Sequence, residues 1–365
     1  MTATDLALEL VRLDTVNPPG REAAAADLLE PRLAAAGLTV ERIEHAPGRP
    51  SLIARWPGTD PDRAALCLTG HLDTVPLGGA PWSVDPFGEL RDGRLYGRGT
   101  SDMKGGVAAI VLAAERVAAL GRGEAGLELV LCAGEETGCE GALHLASSGA
   151  LARAAAVLVA EPTGGVPHVA HKGVLWARAS TEGRTSHGSA PHLGVNAIYP
   201  LARAVAAFAE LRLEAPPHPV LGEPTLNVGT ISGGVGTNVV PDRATAGIDV
   251  RTVPGLESEA VLSRLREAAG PDVRIEPVID LAPAVTDPGD PWLQEVFEVA
   301  GGSAGGLAYF TDAAALTPAY GGVPTVIWGP GEAAQAHQTD EWAETAKIDA
   351  AADAFAEVAR RWCGV

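Results

Sequence analysis

The chain has 365 residues and carries 27 Lys plus Arg against 46 Asp plus Glu, a formal net charge of −19. Such an acidic balance repels phosphate backbones and anionic headgroups, so neither nucleic acid nor a membrane surface is expected as a partner. With 46% hydrophobic residues, and a length beyond the ~250–300 residues at which a single core divides, two domains are expected.

At the N-terminus Asp5 and Glu9 stand where a secretion signal would need an apolar run, so a cytoplasmic protein is expected. Leu6, Leu10 and Leu13 open a helical period, and residues 22–36 read as a helix stopped by Gly37. Residues 38–43, 51–56 and 65–69 read as strands, and Val107, Ile110, Ala114 and Val117 stripe a long helix. Residues 127–132 and 156–159 are nearly continuous apolar runs, the pattern of strands covered on both faces. After His171-Lys172-Gly173 the texture changes to a strand at 174–180, a helix at 196–213, strands at 225–231 and 244–251, a helix at 258–269 and a strand at 273–278. That βαββαβ order is ferredoxin-like. From about 287 the first texture resumes, with a helix at 292–299, a strand at 325–328 and a closing helix at 348–362. The expected fold is α/β: residues 1–173 and 283–365 form a mixed sheet with helices on both faces, and an α+β domain is inserted at 174–282. The longest charge-free stretch, 313–331, is broken by Pro318, Pro324 and Pro330 and cannot be a spanning helix. Cys67, Cys132, Cys139 and Cys363 lie far apart without a CxxC, which suits reduced, mostly buried thiols.

The polar residues at the ends of the apolar runs carry the chemistry. His71 ends one such run and Asp73 projects to the same side, so His71 could bind a metal while Asp73 orients its other ring nitrogen. A plain histidine–carboxylate pair is the simpler alternative. Asp102 stands where the glycine-rich GRGTSDMKGG feeds the long helix, a position at which aspartate by default caps the helix. Glu135 and Glu136 leave their strand in divergent directions, so one could ligate while its neighbour faces a water; solvated loop charges are the alternative. Glu161 and His337 follow the apolar runs AAAVLVA and TVIWG in the same way. Sites in open α/β sheets gather at the carboxyl ends of strands, where five of these residues coincide. Two imidazoles and three carboxylates can hold two divalent ions if one carboxylate bridges. The nitrogen and oxygen donor set suits Zn2+, with Co2+ or Mn2+ as weaker candidates, and such a pair activates water and polarises a carbonyl.

The order HLDTVP, GRGTSDMKGG, AGEETG, AEPT, HKG, SHGSAPHLGVNAI, GTNVVPD and GPGEAAQAHQTDEW resembles the di-zinc deacylases and exopeptidases, the family of acetylornithine deacetylase, succinyl-diaminopimelate desuccinylase, aminoacylase and glutamate carboxypeptidase. The likeness runs from about Leu6 to the last helix. It implies His71 and Glu161 on one zinc, Glu136 and His337 on the other, Asp102 bridging, and Glu135 as general base. It further implies that the inserted domain is a lid and the route to a homodimer. His187 resembles a lid-domain histidine that reaches the partner's active site and supports the oxyanion, while Asn238 and Arg251 resemble groups that hold a substrate carboxylate. A planar guanidinium suits that task because it pairs bidentately. The segments AEPT…VAHKG and GPG…QAHQTDE, together with Thr311-Asp312-Ala313-Ala314, are most similar to acetylornithine deacetylases, in which an acid matching Asp312 could face a cationic substrate; capping of the following helix is the alternative. The implied reaction is removal of an N-acyl group from an N-acyl amino acid. A desuccinylase, a dipeptide carboxypeptidase or a metal-poor amino-acid-binding relic of the fold are the alternatives.

Overall fold

Thr2 and Asp5 form a reciprocal capping box on α1 (Ala3–Val11), which turns Leu6, Ala7 and Leu10 inward. The computed structural model describes residues 1–302 and 304–365. Next come α2 (Ala23–Ala35), the hairpin strands β1 (Thr39–Ala46) and β2 (Arg49–Trp56), β3 (Ala65–His71), the short β4 (Glu89–Arg91) and β5 (Arg94–Tyr96), and α3 (Gly105–Ala119). β6 (Leu127–Cys132), α4 (Glu140–Ser148), β7 (Ala154–Val159) and β8 (His168–His171) follow. The middle of the chain supplies β9 (Gly173–Glu182), α5 (Ile198–Glu210), β10 (Thr225–Gly233), β11 (Arg243–Thr252), α6 (Ser258–Ala269) and β12 (Arg274–Leu281). The last third holds β13 (Ala284–Val285), α7 (Pro291–Ala300), β14 (Ala304–Leu307), α8 (Ala313–Ala319), β15 (Thr325–Ile327), β16 (Trp342–Glu344) and α9 (Thr345–Cys363).

Two compact units result: Met1–Ala170 with Val285–Gly305 and Thr311–Val365, and His171–Ala284 with Gly306–Phe310. In the first, the large sheet runs β1-β2-β6-β3-β7-β15-β8-β13, with β14 beside β8. β3 pairs in parallel with β6 and β7, and β7 with β15, whereas β2 joins β1 and β6 antiparallel. Every residue of β6 is buried, as its unbroken apolar sequence requires of a strand covered on both faces. Leu52 and Ala54 of β2, Leu66 and Leu68 of β3 and Leu129 and Leu131 of β6 share one apolar cluster with α1, α2, α3, α7 and α9. α4 and α8 instead pack against each other and against strands of the sheet. Gly106, in the first turn of α3, is fixed by a close approach, since a Cβ there would lie 2.0 Å from the Ala160 carbonyl oxygen.

The second unit is a four-stranded antiparallel sheet in the order β10-β11-β9-β12, the interleaving that joins the two halves of a ferredoxin-like fold. Leu175, Ala177 and Ala179 of β9 and Ala246, Ile248 and Val250 of β11 meet α5 and α6 through Leu201, Phe208, Val261 and Leu265. The intervening Trp176 and Arg178 project to the other face by the two-residue period of a strand. Gly306–Phe310 groups with this unit because the Leu307 carbonyl accepts from the Lys172 N–H at 3.1 Å and Phe310 meets the edge of Trp176 at 6.1 Å.

The expected elements are present with ends shifted by a few residues. α5 stops at Glu210, short of 213, because Leu211 is already extended. β12 runs on to Leu281, beyond 278. α4, α8 and the short strands β4, β5, β8, β13, β14 and β16 were not anticipated, being too short to show a period, whereas the three-residue β15 lies within the expected 325–328. Among the described residues no helix is long and apolar enough to cross a membrane.

Candidate metal centre

His71 is the last residue of β3 and pairs in register with Cys132, the last residue of β6. The parallel strands β3, β6 and β7 therefore end together, delivering His71, Glu135 with Glu136, and Glu161 to one edge of the sheet. His337 comes from the loop after β15 and is held at φ 64°, in the left-handed region. Asp102 does not cap α3. The first residues of that segment are irregular, Lys104 occupies the cap position, and the Asp102 carboxylate is turned to the histidines instead. Its Oδ1 lies 3.1 Å from His71 Nε2 and its Oδ2 lies 3.4 Å from His337 Nε2. Glu161 Oε1 is 3.8 Å from His71 Nε2, and Glu136 Oε2 is 3.1 Å from His337 Nε2.

Asp73 organises the floor of this site. His71 Nδ1 lies 3.0 Å from the Asp73 carbonyl oxygen, so an Nδ1–H donates there and leaves Nε2 for a ligand. The Asp73 carboxylate accepts from the backbone N–H groups of Glu135 and Glu136 at 3.1 and 3.2 Å, and from Asn17 Nδ2 at 2.9 Å. One fully buried aspartate thus ties the histidine of β3 to the two glutamates beyond β6. Burial works against its charge, yet its bonds to His71, Asn17 and Glu135 win and hold its pKa below the usual value.

Among the described residues, two sets of donors converge closely enough to hold an ion, His71 with Asp102 and Glu136, and His71 with Glu135 and Glu161. Burial, reinforced by neighbouring carboxylates, pushes Glu135 and Glu161 well above the ordinary carboxylate range, and raises Glu136. Burial alone would keep His71 neutral, but its bonds to Asp102 and Asp73 raise it well above an ordinary histidine. Bonds to Asp102 and Glu136 raise His337 to about 10. The site therefore concentrates more carboxylates than imidazoles out of water, and Glu136 Oε1 is buried with no protein partner among the described residues. These features fit divalent cations, whose charge would compensate the carboxylates and whose coordination would use the unpartnered oxygen.

Asp312 is 1% exposed and makes no side-chain cap on α8, contrary to the capping alternative; its carboxylate lies beside the Cys132 and Cys139 thiols, and burial raises it to about 6. His187, Asn238 and Arg251 belong to the second unit. There His187 is exposed, with Nδ1 2.7 Å from Ser189 Oγ, and the following Gly188 N–H donates to the Asn238 carbonyl at 2.7 Å. Arg251 pairs with Asp249 at 3.0 Å and lies 5.2 Å from the centre of the Phe310 ring, with Nη1 buried and without a partner among the described residues. Sequence reasoning passed over Asn17 and Glu341. Both are buried polar residues that grip the site's backbone or carboxylates, and nothing in their spacing sets them apart from ordinary loop residues.

The model of peptidase family M20/M25/M40 matches residues 67–361. The chain is 33% identical to an acetylornithine deacetylase of Vibrio campbellii over 341 residues, covering 90% of this chain and 88% of that one. It is 32% identical to an acetylornithine deacetylase of Myxococcus xanthus over 382 residues, covering 98% and 96%. Among solved structures, a metallo-carboxypeptidase of Sulfolobus solfataricus superposes with a TM-score of 0.82 at 17% identity, covering 100% of this chain and 99% of that one. A dinuclear metal-binding peptidase of Bacillus subtilis superposes with a TM-score of 0.71 at 15% identity, covering 99% and 98%.

Proposed function

Because the chain belongs to peptidase family M20/M25/M40 and is a metal-dependent hydrolase, we propose that it is a two-zinc amidohydrolase that removes the acyl group from an N-acyl-L-amino acid, with acetylornithine as leading substrate. The observation that carries this reading is Asp102, whose two oxygens face two different histidines, each with its own glutamate, as a bridging ligand requires. His71 and Glu161 form one ligand pair, Glu136 and His337 the other, and the mixed imidazole and carboxylate donors suit Zn2+ over Mg2+ or Ca2+. The relatives named acetylornithine deacetylase support the choice of substrate.

Held by these residues, two zinc ions would supply polarisation of the scissile carbonyl and acidification of the attacking water. Glu135 is the general base: its carboxylate takes the proton of that water and returns it to the leaving amine. Burial suits it to both tasks, because a raised pKa brings the carboxylate nearer to neutral pH, where one group can accept and then donate. Asp73 keeps His71 in the tautomer that leaves Nε2 available. His187 donates to the developing oxyanion from the partner subunit of a homodimer, and Asn238 with Arg251 holds the substrate's carboxylate.

Amine release from a panel of acetyl, succinyl and peptidyl amino acids, with zinc counted on the purified chain, tests the reading. Two zincs per chain and the highest kcat/KM on acetylornithine are expected. A succinyl or peptidyl substrate preferred by about tenfold or more, some 1.4 kcal/mol, would overturn the substrate. A chain that retains no metal and releases no amine would be a binding relic.

A further inference from the structure

The loop that carries Asp102 and the loop that carries His337 meet on one buried carboxylate. Glu341 is fully buried, four residues after His337. Its Oε2 accepts from Arg98 Nη1 at 2.6 Å and from the Gly99 N–H at 3.0 Å, while its Oε1 accepts from the N–H groups of Ser101 and Asp102 at 2.9 and 3.1 Å. Three successive contacts to the backbone of one loop, the last on Asp102 itself, leave that segment little freedom. Arg98 closes the arrangement from the other side, since its Nη1 also donates to the Gln338 carbonyl at 3.2 Å, one residue from His337. Two further bonds run the same way: the Gly97 N–H donates to the Glu341 carbonyl at 2.9 Å, and Ser101 Oγ donates to the Trp342 carbonyl at 2.7 Å. The segment between Gly97 and Asp102 has no regular helix or strand to stiffen it, so its shape depends on these bonds.

We propose that Glu341 is a positioning residue that holds the Asp102 loop and the His337 loop at the separation the metal pair requires. It touches neither ion nor substrate; it acts by fixing the backbone of the bridging ligand. The inference rests on the ligand assignment made above. Outer-shell partners that orient ligands typically contribute about 10- to 100-fold to metal affinity. A buried ion pair can instead serve the fold alone, and breaking one then lowers stability wherever it lies. The pair of Glu22 with Arg49, 2.7 Å apart in the same unit with the Glu22 side chain fully buried, supplies that comparison.

The experiment titrates Zn2+ into wild type, Glu341→Gln and Glu22→Gln against a chromophoric chelator, and records the Tm of each metal-free protein and the activity at limiting and saturating Zn2+. Glu341→Gln is expected to bind Zn2+ about 10- to 100-fold more weakly, with activity recovering at saturating metal and KM little changed, while Glu22→Gln keeps wild-type affinity to within about threefold despite its own loss in Tm. Equal affinities for Glu341→Gln and wild type, or equal losses in both variants, would show that Glu341 serves only the fold. Should Glu341→Gln fail to fold, Glu341→Asp, one methylene too short to grip both Arg98 and the loop, carries the same expectations. If wild type itself binds fewer than two ions, the ligand assignment falls and the proposal falls with it. If wild type binds two and Glu341→Gln is unaffected, only the proposal falls.

Discussion

Replacing Glu135 by Gln removes one proton acceptor and leaves the rest of the centre in place. The backbone N–H of residue 135 stays on Asp73 Oδ1 at 3.1 Å, and the amide occupies the same buried volume as the acid, which is 6% exposed. An amide has no lone pair basic enough to take a proton from water, so turnover is expected to fall on the order of 10²- to 10⁴-fold. At about 1.36 kcal/mol per factor of ten this is roughly 2.7 to 5.4 kcal/mol of activation barrier. Because burial raises the Glu135 pKa, wild-type activity should climb with pH as this carboxylate loses its proton, and the variant should lose that rising limb. Glu136→Gln gives the contrast. Glu136 lies 3.1 Å from His337 in the proposed second ligand pair, so this variant should lose metal, whereas Glu135→Gln should keep two ions. Steady-state kinetics over a pH series, with zinc counted on each purified variant, reads both effects. A Glu135→Gln enzyme that retains most of its turnover, or that sheds a zinc, would refute the assignment.

If His187 serves the partner's site, then His187→Ala mixed with Glu135→Gln should regain activity. Random exchange makes half the dimers mixed, each with one intact site of two, so recovery should approach about a quarter of the wild-type sites. No recovery, with exchange verified, would mean that His187 serves its own chain or none. His171 is buried with Nε2 unpartnered among the described residues, and burial lowers its pKa to about 4. The unfolded chain then binds a proton below about pH 6.5 that the folded chain refuses, so stability is full above that pH and falls as the pH drops toward 4. By pH 5 the loss should be on the order of 2 kcal/mol in urea unfolding, and His171→Gln should flatten that slope; an unchanged slope would refute the assignment.

The α/β class, the inserted βαββαβ segment and the concentration of polar residues at strand exits all follow from local pattern. Unbroken apolar runs such as Leu127–Cys132 mark strands covered on both faces, and a polar residue directly after such a run has to emerge at the sheet's edge. His71, Glu135, Glu136 and Glu161 were readable for that reason, whereas His337 lies ten residues beyond β15 and reaches the site through its loop. By local pattern Asp102 was readable only as a helix-start aspartate, its bridging role being implied by the family resemblance alone, and the default role as a cap gave way because the segment before α3 is irregular and turns the carboxylate to the histidines. Asp312 carried the same ambiguity and is buried beside two thiols, with no side-chain cap.

Other features depend on chain segments that meet only after folding. Asn17 reaches Asp73 across 56 residues, and Glu341 reaches the Asp102 N–H across 239. No period or spacing encodes such a bond, because it depends on which loops the sheet order brings side by side. The same holds for Gly306–Phe310, which groups with the inserted domain through Leu307 and Phe310 although it lies among segments of the outer one. The sequence by itself determined which residues leave the sheet at the carboxyl ends of its strands, since strand identity is a matter of local apolar pattern. Tertiary structure alone decided which of them share a partner, because a carboxylate between two histidines is a relation among three loops.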